Sequence, residues 1–387
     1  MPKVSIIMPT YNRADTIERA IRSAQAQTFE DWELVIIDDG SIDNTAALIP
    51  KDDPRIRYHA QPNRGFVAAR NAGLQAAVGE YVAFLDSDDE LKPFHLQLGV
   101  SYLDAFPGEH FVTSEAQEDF GHDRFVYHYR IEFSQWYPRA AAAIGSSALD
   151  LPAGETDDYM RAWPIREPVG PWGSAILDRA GIPGPSYIYR GRIFPHLRWG
   201  FVMCVNSLIV RRQTLKEVGF LDPRYGLAAD QELICRLSLR DSANFIGVPT
   251  YIKHEYTPAG KIPAVSHLGT GKTAVRFFRD LLIFYDDYFM NPQPDDAELK
   301  ALRCLILLDT AHVALRLGLR DEALDFLRQA RAAKPNFSKA ITMTWITRCV
   351  RSPQLAEKLW RRAHQVVDAV AGVFRARPAI KRDARGA

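Results

Sequence analysis

Over the first ninety residues, short apolar runs alternate with helical patterns, and that alternation constrains the fold more than any other feature of the chain. Val4–Met8 and Leu34–Ile37 read as buried strands, Ile56–His59 as a weaker one and Tyr81–Leu85 as another. Between the first two, Ile17, Ala20, Ile21 and Ala24 share one helical face, with Asp15 placed to cap its start. Phe66–Val78, rich in Ala and bounded by Gly65 and Gly79, is expected to form a second helix. Strand, helix, strand in this rhythm predicts an α/β fold, a mostly parallel, doubly wound sheet flanked by helices. Ligands of such sheets gather at the carboxyl ends of the strands. Those ends hold Thr10-Tyr11-Asn12-Arg13, Asp38-Asp39-Gly40-Ser41 and Asp86-Ser87-Asp88-Asp89, so carboxylates stand at two of the three.

Composition narrows the classes. With 387 residues, 47% of them apolar, and a net charge of +1, the chain is too apolar and too neutral to be disordered and long enough for two or three cores. Cys204, Cys235, Cys304 and Cys349 have no paired spacing, which points away from a disulfide framework or structural zinc and toward a reducing cytoplasm. No apolar run approaches a membrane span and the N-terminus lacks a signal-peptide shape, so a cytoplasmic location is expected. No G-x-G-x-x-G follows the first strand, which argues against a dinucleotide oxidoreductase. Ser266-His267-Leu268-Gly269-Thr270-Gly271-Lys272-Thr273 nearly matches a phosphate-cradling loop, but Ser266 replaces its first glycine and no convincing strand precedes it. It reads as the start of a helix.

The motifs at the strand ends resemble the family 2 glycosyltransferases with the GT-A fold. The resemblance runs from Val4-Ser5-Ile6-Ile7-Met8-Pro9-Thr10-Tyr11-Asn12 through Asp38-Asp39-Gly40-Ser41, Asn63-Arg64-Gly65 and Ala69-Arg70-Asn71-Ala72-Gly73-Leu74 to Phe84-Leu85-Asp86-Ser87-Asp88-Asp89. It is sparser around Asp230-Gln231-Glu232-Leu233-Ile234-Cys235-Arg236-Leu237. It implies an inverting enzyme that moves a sugar from a nucleoside diphosphate, a UDP-sugar by preference, to a hydroxyl of a glycan or lipid-linked acceptor. By similarity, Asp39 accepts a hydrogen bond from the base, with Asp38 beside it, Thr10 and Tyr11 hold the nucleoside, and Arg70 reaches phosphate or base. Asp86 lies near the ribose and the metal shell, and Asp88 coordinates Mg²⁺ or Mn²⁺.

The chemistry agrees. A departing diphosphate needs its charge neutralised, commonly by a hard divalent cation on carboxylates, and residues i and i+2 of an extended turn project to one side. The plainer alternative for this acidic turn is a cap on a helix beginning near Glu90. Asp230 matches the family's general base, with Leu233 and Arg236 at the family's spacing. The glutamate expected before it is Ala229. Asp230 is also placed to cap the helix that follows. His254, after the base helix, is a candidate metal ligand by similarity, and His267 a weaker one. Trp136, Trp163, Trp172 and Trp199 stand in an irregular stretch that could offer stacking platforms to an acceptor sugar. A sugar-1-phosphate nucleotidyltransferase would carry a glycine-rich loop where Thr10-Tyr11-Asn12-Arg13 stands. A non-catalytic nucleotide-sugar-binding or scaffold protein on the same fold is the remaining alternative.

Residues 1–265 are expected to form the glycosyltransferase domain, with 1–90 as nucleotide-binding half and 120–255 as acceptor-binding half. Val202–Arg211 reads as a strand, Gln213–Val218 and Asp230–Arg240 as helices, and the prolines of 291–296 mark a linker. Residues 270–387 read as an all-α, basic extension. Residues 301–387 carry 17 Lys+Arg against 7 Asp+Glu, a local +10, which leaves −9 for residues 1–300. Leu315 to Pro335 looks like a single tetratricopeptide-type hairpin, which must pack on neighbouring helices or on another subunit of an oligomer. The basic helices after it suit a peripheral contact with the inner membrane face. No nucleic-acid module accompanies the charge.

Overall fold

The computed structural model describes residues 1–119, 125–127, 153–199, 203–254 and 272–333, with single positions at 141, 146, 147, 150, 151, 343, 347 and 359. The chain divides into two compact units, one of residues 1–267 with 283–289 and one of residues 268–282 with 290–387.

The first unit is built on an eleven-stranded sheet: β1 (Val4–Thr10), β2 (Trp32–Asp38), β3 (Ile56–Ala60), β4 (Tyr81–Phe84), β5 (Glu90–Leu91), β6 (Phe111–Asp119), β7 (Phe125–Tyr127), β8 (Ile165–Pro168), β9 (Tyr187–Gly191), β10 (Ile209–Arg211) and β11 (Ala243–His254). The strand order is β3-β2-β1-β4-β10-β6-β11-β9-β8, with β5 on β11 and β7 on β6. The first four strands are mutually parallel, as the alternation predicts, and β6 and β11 form a second parallel pair. Antiparallel β10 joins the two halves.

β1, β2 and β4 are buried along their whole length, which is why their sequences run apolar rather than alternating. Helices α1 (Ile17–Gln25), α2 (Phe66–Ala76), α3 (His95–Ala105), α4 (Pro171–Arg179), α5 (Arg212–Val218) and α6 (Ala229–Arg240) complete the unit. In α2 a Cβ on Gly73 would stand 2.5 Å from Ile7 Cγ2, so glycine there lets the helix lie directly on β1.

Several local expectations are corrected. Asp15 does not cap α1: Thr16 occupies the cap position without a capping hydrogen bond and its Oγ1 donates to the Ser87 carbonyl at 2.9 Å. No helix begins at Glu90, which opens β5, so the acidic turn caps nothing. Among the described residues of the expected strand over 202–211 only Ile209–Arg211 is a strand, because Val205–Ser207 turns as a 3₁₀ helix. Trp163 is fully buried and stacked on Phe245 at 4.7 Å, and Trp172 packs edge-on to Tyr102 at 5.1 Å. Trp163 therefore offers no open face to a sugar. Trp136, His267 and most of the loop 266–273 lie outside the described residues, as does the side chain of Trp199.

In the second unit, α8 (Ala297–Arg316) and α9 (Arg320–Ala333) form the expected hairpin, turned at Gly318 with φ +75°. Leu307, Leu308, Ala311, Ala323, Phe326 and Leu327 meet in its core with Val275 of α7 (Lys272–Tyr285). Among the described residues no helix is long and apolar enough to cross a membrane.

His95, at the start of α3, is buried, with Nδ1 2.6 Å from Thr250 Oγ1. Burial pushes its imidazole down from 6.5 to about 3. The unfolded chain then takes up a proton that the native state refuses. This part of the stability is whole above about pH 6.5 and is lost as the pH falls toward about 3. Urea unfolding across that range should show a shallower loss of stability on acidification for His95→Asn than for the wild type. Equal slopes would exclude His95 as the source.

Candidate active site

Parallel register brings the polar strand ends to one level. Thr10 pairs with Asp38, and Ile7 with Phe84, so the residues after β1, β2 and β4 emerge together. The loops after β1 and β2 are laced. Asn12, at φ +50°, donates its main-chain N–H to Ser41 Oγ at 2.9 Å, and its Oδ1 accepts from Ile42 N at 2.9 Å. Asparagine tolerates that left-handed conformation.

The two adjacent aspartates are engaged by the protein itself. Asp38 accepts from Ser41 N and from Tyr58 Oη, both at 2.8 Å. Asp39 accepts from Gln61 Nε2 at 2.7 Å, Arg64 N at 2.9 Å and Gly65 N at 2.7 Å. Three of its roughly four lone-pair positions thus organise the loop leading into α2. Thr10 is buried and its Oγ1 has no hydrogen-bond partner, while Tyr11 is 44% exposed at the mouth.

Arg70 projects from α2 and is only 3% exposed. Nη2 donates to Asp86 Oδ1 at 2.5 Å and Nη1 donates to Asp230 Oδ2. It thereby ties the end of β4 to the first turn of α6. Asp230 does not cap α6, whose cap position is Ala228. Its other oxygen, Oδ1, is buried with no hydrogen-bond partner. Burial raises the proton affinity of Asp230 above the usual carboxylate range, against the pull of Arg70.

Oxygens of Asp86, Asp88 and Asp89 lie within 4.8 Å of one another. Burial would raise Asp86, but Arg70 and the Asn206 amide, which donates to Oδ2 at 2.9 Å, outweigh it and hold its pKa below normal. Asp88 is raised, by burial and then by repulsion from Asp86, with Arg13 opposing. Asp89 is raised well above normal by burial and by its two acidic neighbours, though Tyr251 Oη donates to its Oδ2 and His254 N to its Oδ1 at 2.9 Å. Three converging carboxylates are a donor set suited to a hard divalent cation.

His254 is not part of that set. Its Nε2 lies 2.6 Å from Glu90 Oε1 and its Nδ1 3.1 Å from Asp119 Oδ2, so the ring is engaged on both sides by other acids. The third carboxylate of the cluster is Asp89 instead. It was in view within Asp86-Ser87-Asp88-Asp89. Asn206, which donates to both Asp86 and Tyr251, gives no local signal, since its partners lie 120 and 45 residues away.

Residues 5–176 match the model of Glycosyl transferase family 2. The chain is 47% identical over 96 residues to GalNAc(5)-diNAcBac-PP-undecaprenol beta-1,3-glucosyltransferase of Campylobacter jejuni, covering 24% of this chain and 31% of that protein. It is 47% identical over 107 residues to succinoglycan biosynthesis protein ExoO of Rhizobium meliloti, covering 27% and 31%. An uncharacterized glycosyltransferase of Rickettsia felis is 44% identical over 104 residues, covering 26% and 17%. The chain thus spans less than a third of the length of these relatives. The crystal structure of S. aureus TarS 1-349 in complex with UDP-GlcNAc aligns over 93% of this chain and 92% of that one, with TM-score 0.53 and 17% identity, a likeness of fold.

Arg70 compensates two carboxylates, each about a quarter to a third exposed. Arg70→Met should therefore cost stability, by up to about 3–5 kcal/mol for a fully buried pair and less here. Adding Asp230→Asn should recover part of that loss in urea unfolding. A double variant no more stable than Arg70→Met would show that the bridge is not the source.

Proposed function

We propose, because residues 5–176 match the model of Glycosyl transferase family 2, that the protein transfers a sugar, with inversion, from a nucleoside diphosphate to a hydroxyl of a glycan or lipid-linked acceptor. The observation that carries this reading is Asp230: one carboxylate oxygen fixed by Arg70, the other buried without a partner, beside the carboxylates that follow β4. Support for the donor comes from the fold neighbour crystallised with UDP-GlcNAc, which makes UDP-sugars the first to test. Support for the acceptor comes from relatives named for an undecaprenol-linked glycan and for succinoglycan biosynthesis.

In this reading, Thr10, Tyr11, Asp38 and Asp39 form the nucleoside floor. Asp38 and Asp39 act largely by holding the loops in place, with one lone-pair position of Asp39 Oδ2 left to the base. Asp86, Asp88 and Asp89 would hold Mg²⁺ or Mn²⁺. A bound cation supplies neutralisation of charge on the departing diphosphate. Asp230 Oδ1 takes the proton of the acceptor hydroxyl as that oxygen bonds to the sugar's anomeric carbon and the bond to the diphosphate breaks. Arg70 keeps the base on the face opposite the leaving group. Residues 1–265 would be the transferase domain and residues 270–387 the helical region. Residues 347–387, with ten Lys+Arg and three Asp+Glu, would meet anionic lipid at the inner membrane face, where each basic residue contributes about 1 kcal/mol. They lie almost wholly outside the described residues.

A base works deprotonated, and burial raises Asp230. The rate of transfer should therefore fall on acidification through a pH above the ordinary carboxylate range, with the alkaline side flat through neutrality. Asp230→Asn should lower transfer and donor hydrolysis by about 10²–10⁴-fold while UDP still binds. A chain that binds UDP but shows no hydrolysis or transfer with any nucleotide sugar would favour the scaffold alternative. Chelation with EDTA should abolish activity, and Mn²⁺ should restore it in the wild type but not in Asp88→Asn.

A further inference from the structure

Two arginines approach Asp88, and they are held in different ways. Arg19, from the first turn of α1, donates from Nη2 to the Asp88 main-chain carbonyl at 2.5 Å and places Nε 3.5 Å from Glu90 Oε1. It braces the backbone of the acidic turn. Arg13 is fixed only at its main chain, where its N–H donates to Thr45 Oγ1 at 2.8 Å. Its guanidinium touches Asp88 Oδ2 at 3.4 Å and the neighbouring Asn12 carbonyl at 3.5 Å, both long for hydrogen bonds, and is partly exposed. Arg13 is thus a loosely held charge on an anchored stem, resting against one carboxylate of the acidic cluster.

We propose that Arg13 is a placeholder cation, neutralising Asp88 until a divalent cation takes that carboxylate and then turning onto a phosphate oxygen of the donor. The inference rests on reading Asp86, Asp88 and Asp89 as the donor-diphosphate site. Charge requires some such exchange. With Arg13 against Asp88, an incoming dication meets a like charge at its ligand, so it binds poorly by itself. A diphosphate brings the negative oxygens that offer Arg13 a second partner, so each ligand lowers the cost of the other. The coupling is reciprocal: nucleotide tightens metal by the factor that metal tightens nucleotide. Asp86 needs no such placeholder, since Arg70 and Asn206 already satisfy it from the buried side.

The test titrates Mn²⁺ into the full chain, reads free Mn²⁺ by electron paramagnetic resonance, and repeats the titration with saturating UDP. Arg13→Ala should bind Mn²⁺ about tenfold more tightly without UDP, and UDP should tighten it by about tenfold less than in the wild type. Arg13→Lys, which keeps the charge, should stay close to the wild type. Near-UV circular dichroism checks the fold, and Arg13→Gln replaces Arg13→Ala if the latter does not fold. Unchanged or weaker Mn²⁺ binding in a folded neutral variant, with the UDP enhancement intact, overturns the inference alone. A wild type that binds neither Mn²⁺ nor UDP overturns the reading of the site and this inference with it.

Discussion

One buried guanidinium holds the site together. Arg70 has almost no solvent to share its charge with, and its two terminal nitrogens face carboxylates 16 and 160 residues away in the chain. A buried guanidinium between two half-buried carboxylates is tolerable only when the geometry is tight. The geometry is set one turn along α2, where Gly73 lets the helix rest on Ile7. Positions 70 and 73 share a helix face, so seating Gly73 on β1 aims Arg70 at the end of β4, where Asp86 emerges. A packing requirement at a glycine becomes an electrostatic requirement at the site.

The second half of the sheet serves the same end from the other side. β11 pairs with β6 through two register shifts and then with the short β5, which places Tyr251 and the His254 amide against Asp89 and sets the His254 ring between Glu90 and Asp119. Asn206, in the 3₁₀ turn before β10, spans Asp86 and Tyr251. The turn that displaced the expected strand over 202–211 is the piece that delivers this amide. The acidic cluster is thus held by hydrogen-bond donors from β11 and that turn, and by Arg70.

How much of this could be read from the sequence follows from distance along the chain. The strand ends were legible because apolar runs and the acids after them are contiguous, so β1, β2 and β4 and the residues Asp38, Asp39, Asp86 and Asp88 could be placed on local pattern. The occupants of those acids were not legible. Whether Asp39 is open or satisfied depends on three donors 22 to 26 residues away, and the direction of Arg70 depends on how α6 meets α2. His254 was expected as a metal ligand on the resemblance alone. Its environment, two carboxylates brought by β5 and β6, is set by strand pairing and leaves no mark near residue 254.

Ala229 can now be given a physical account. It is fully buried in the first turn of α6, directly before the proposed base. A carboxylate at that position would be buried a residue away from Asp230, whose proton affinity burial and Asp86 already raise. Repulsion would raise it further and weaken its hold on Arg70. The nearby acid that the helix does keep, Glu232, points elsewhere: Arg236 binds it through Nε at 2.7 Å and Nη2 at 2.8 Å, and Tyr288 Oη donates to it at 2.5 Å. The same guanidinium donates to the carbonyls of Val218, Gly219 and Phe220, so Glu232 fastens α6 to the segment after α5. One acid in this helix carries structure and one carries charge into the cleft, and a methyl group at 229 keeps the two roles apart.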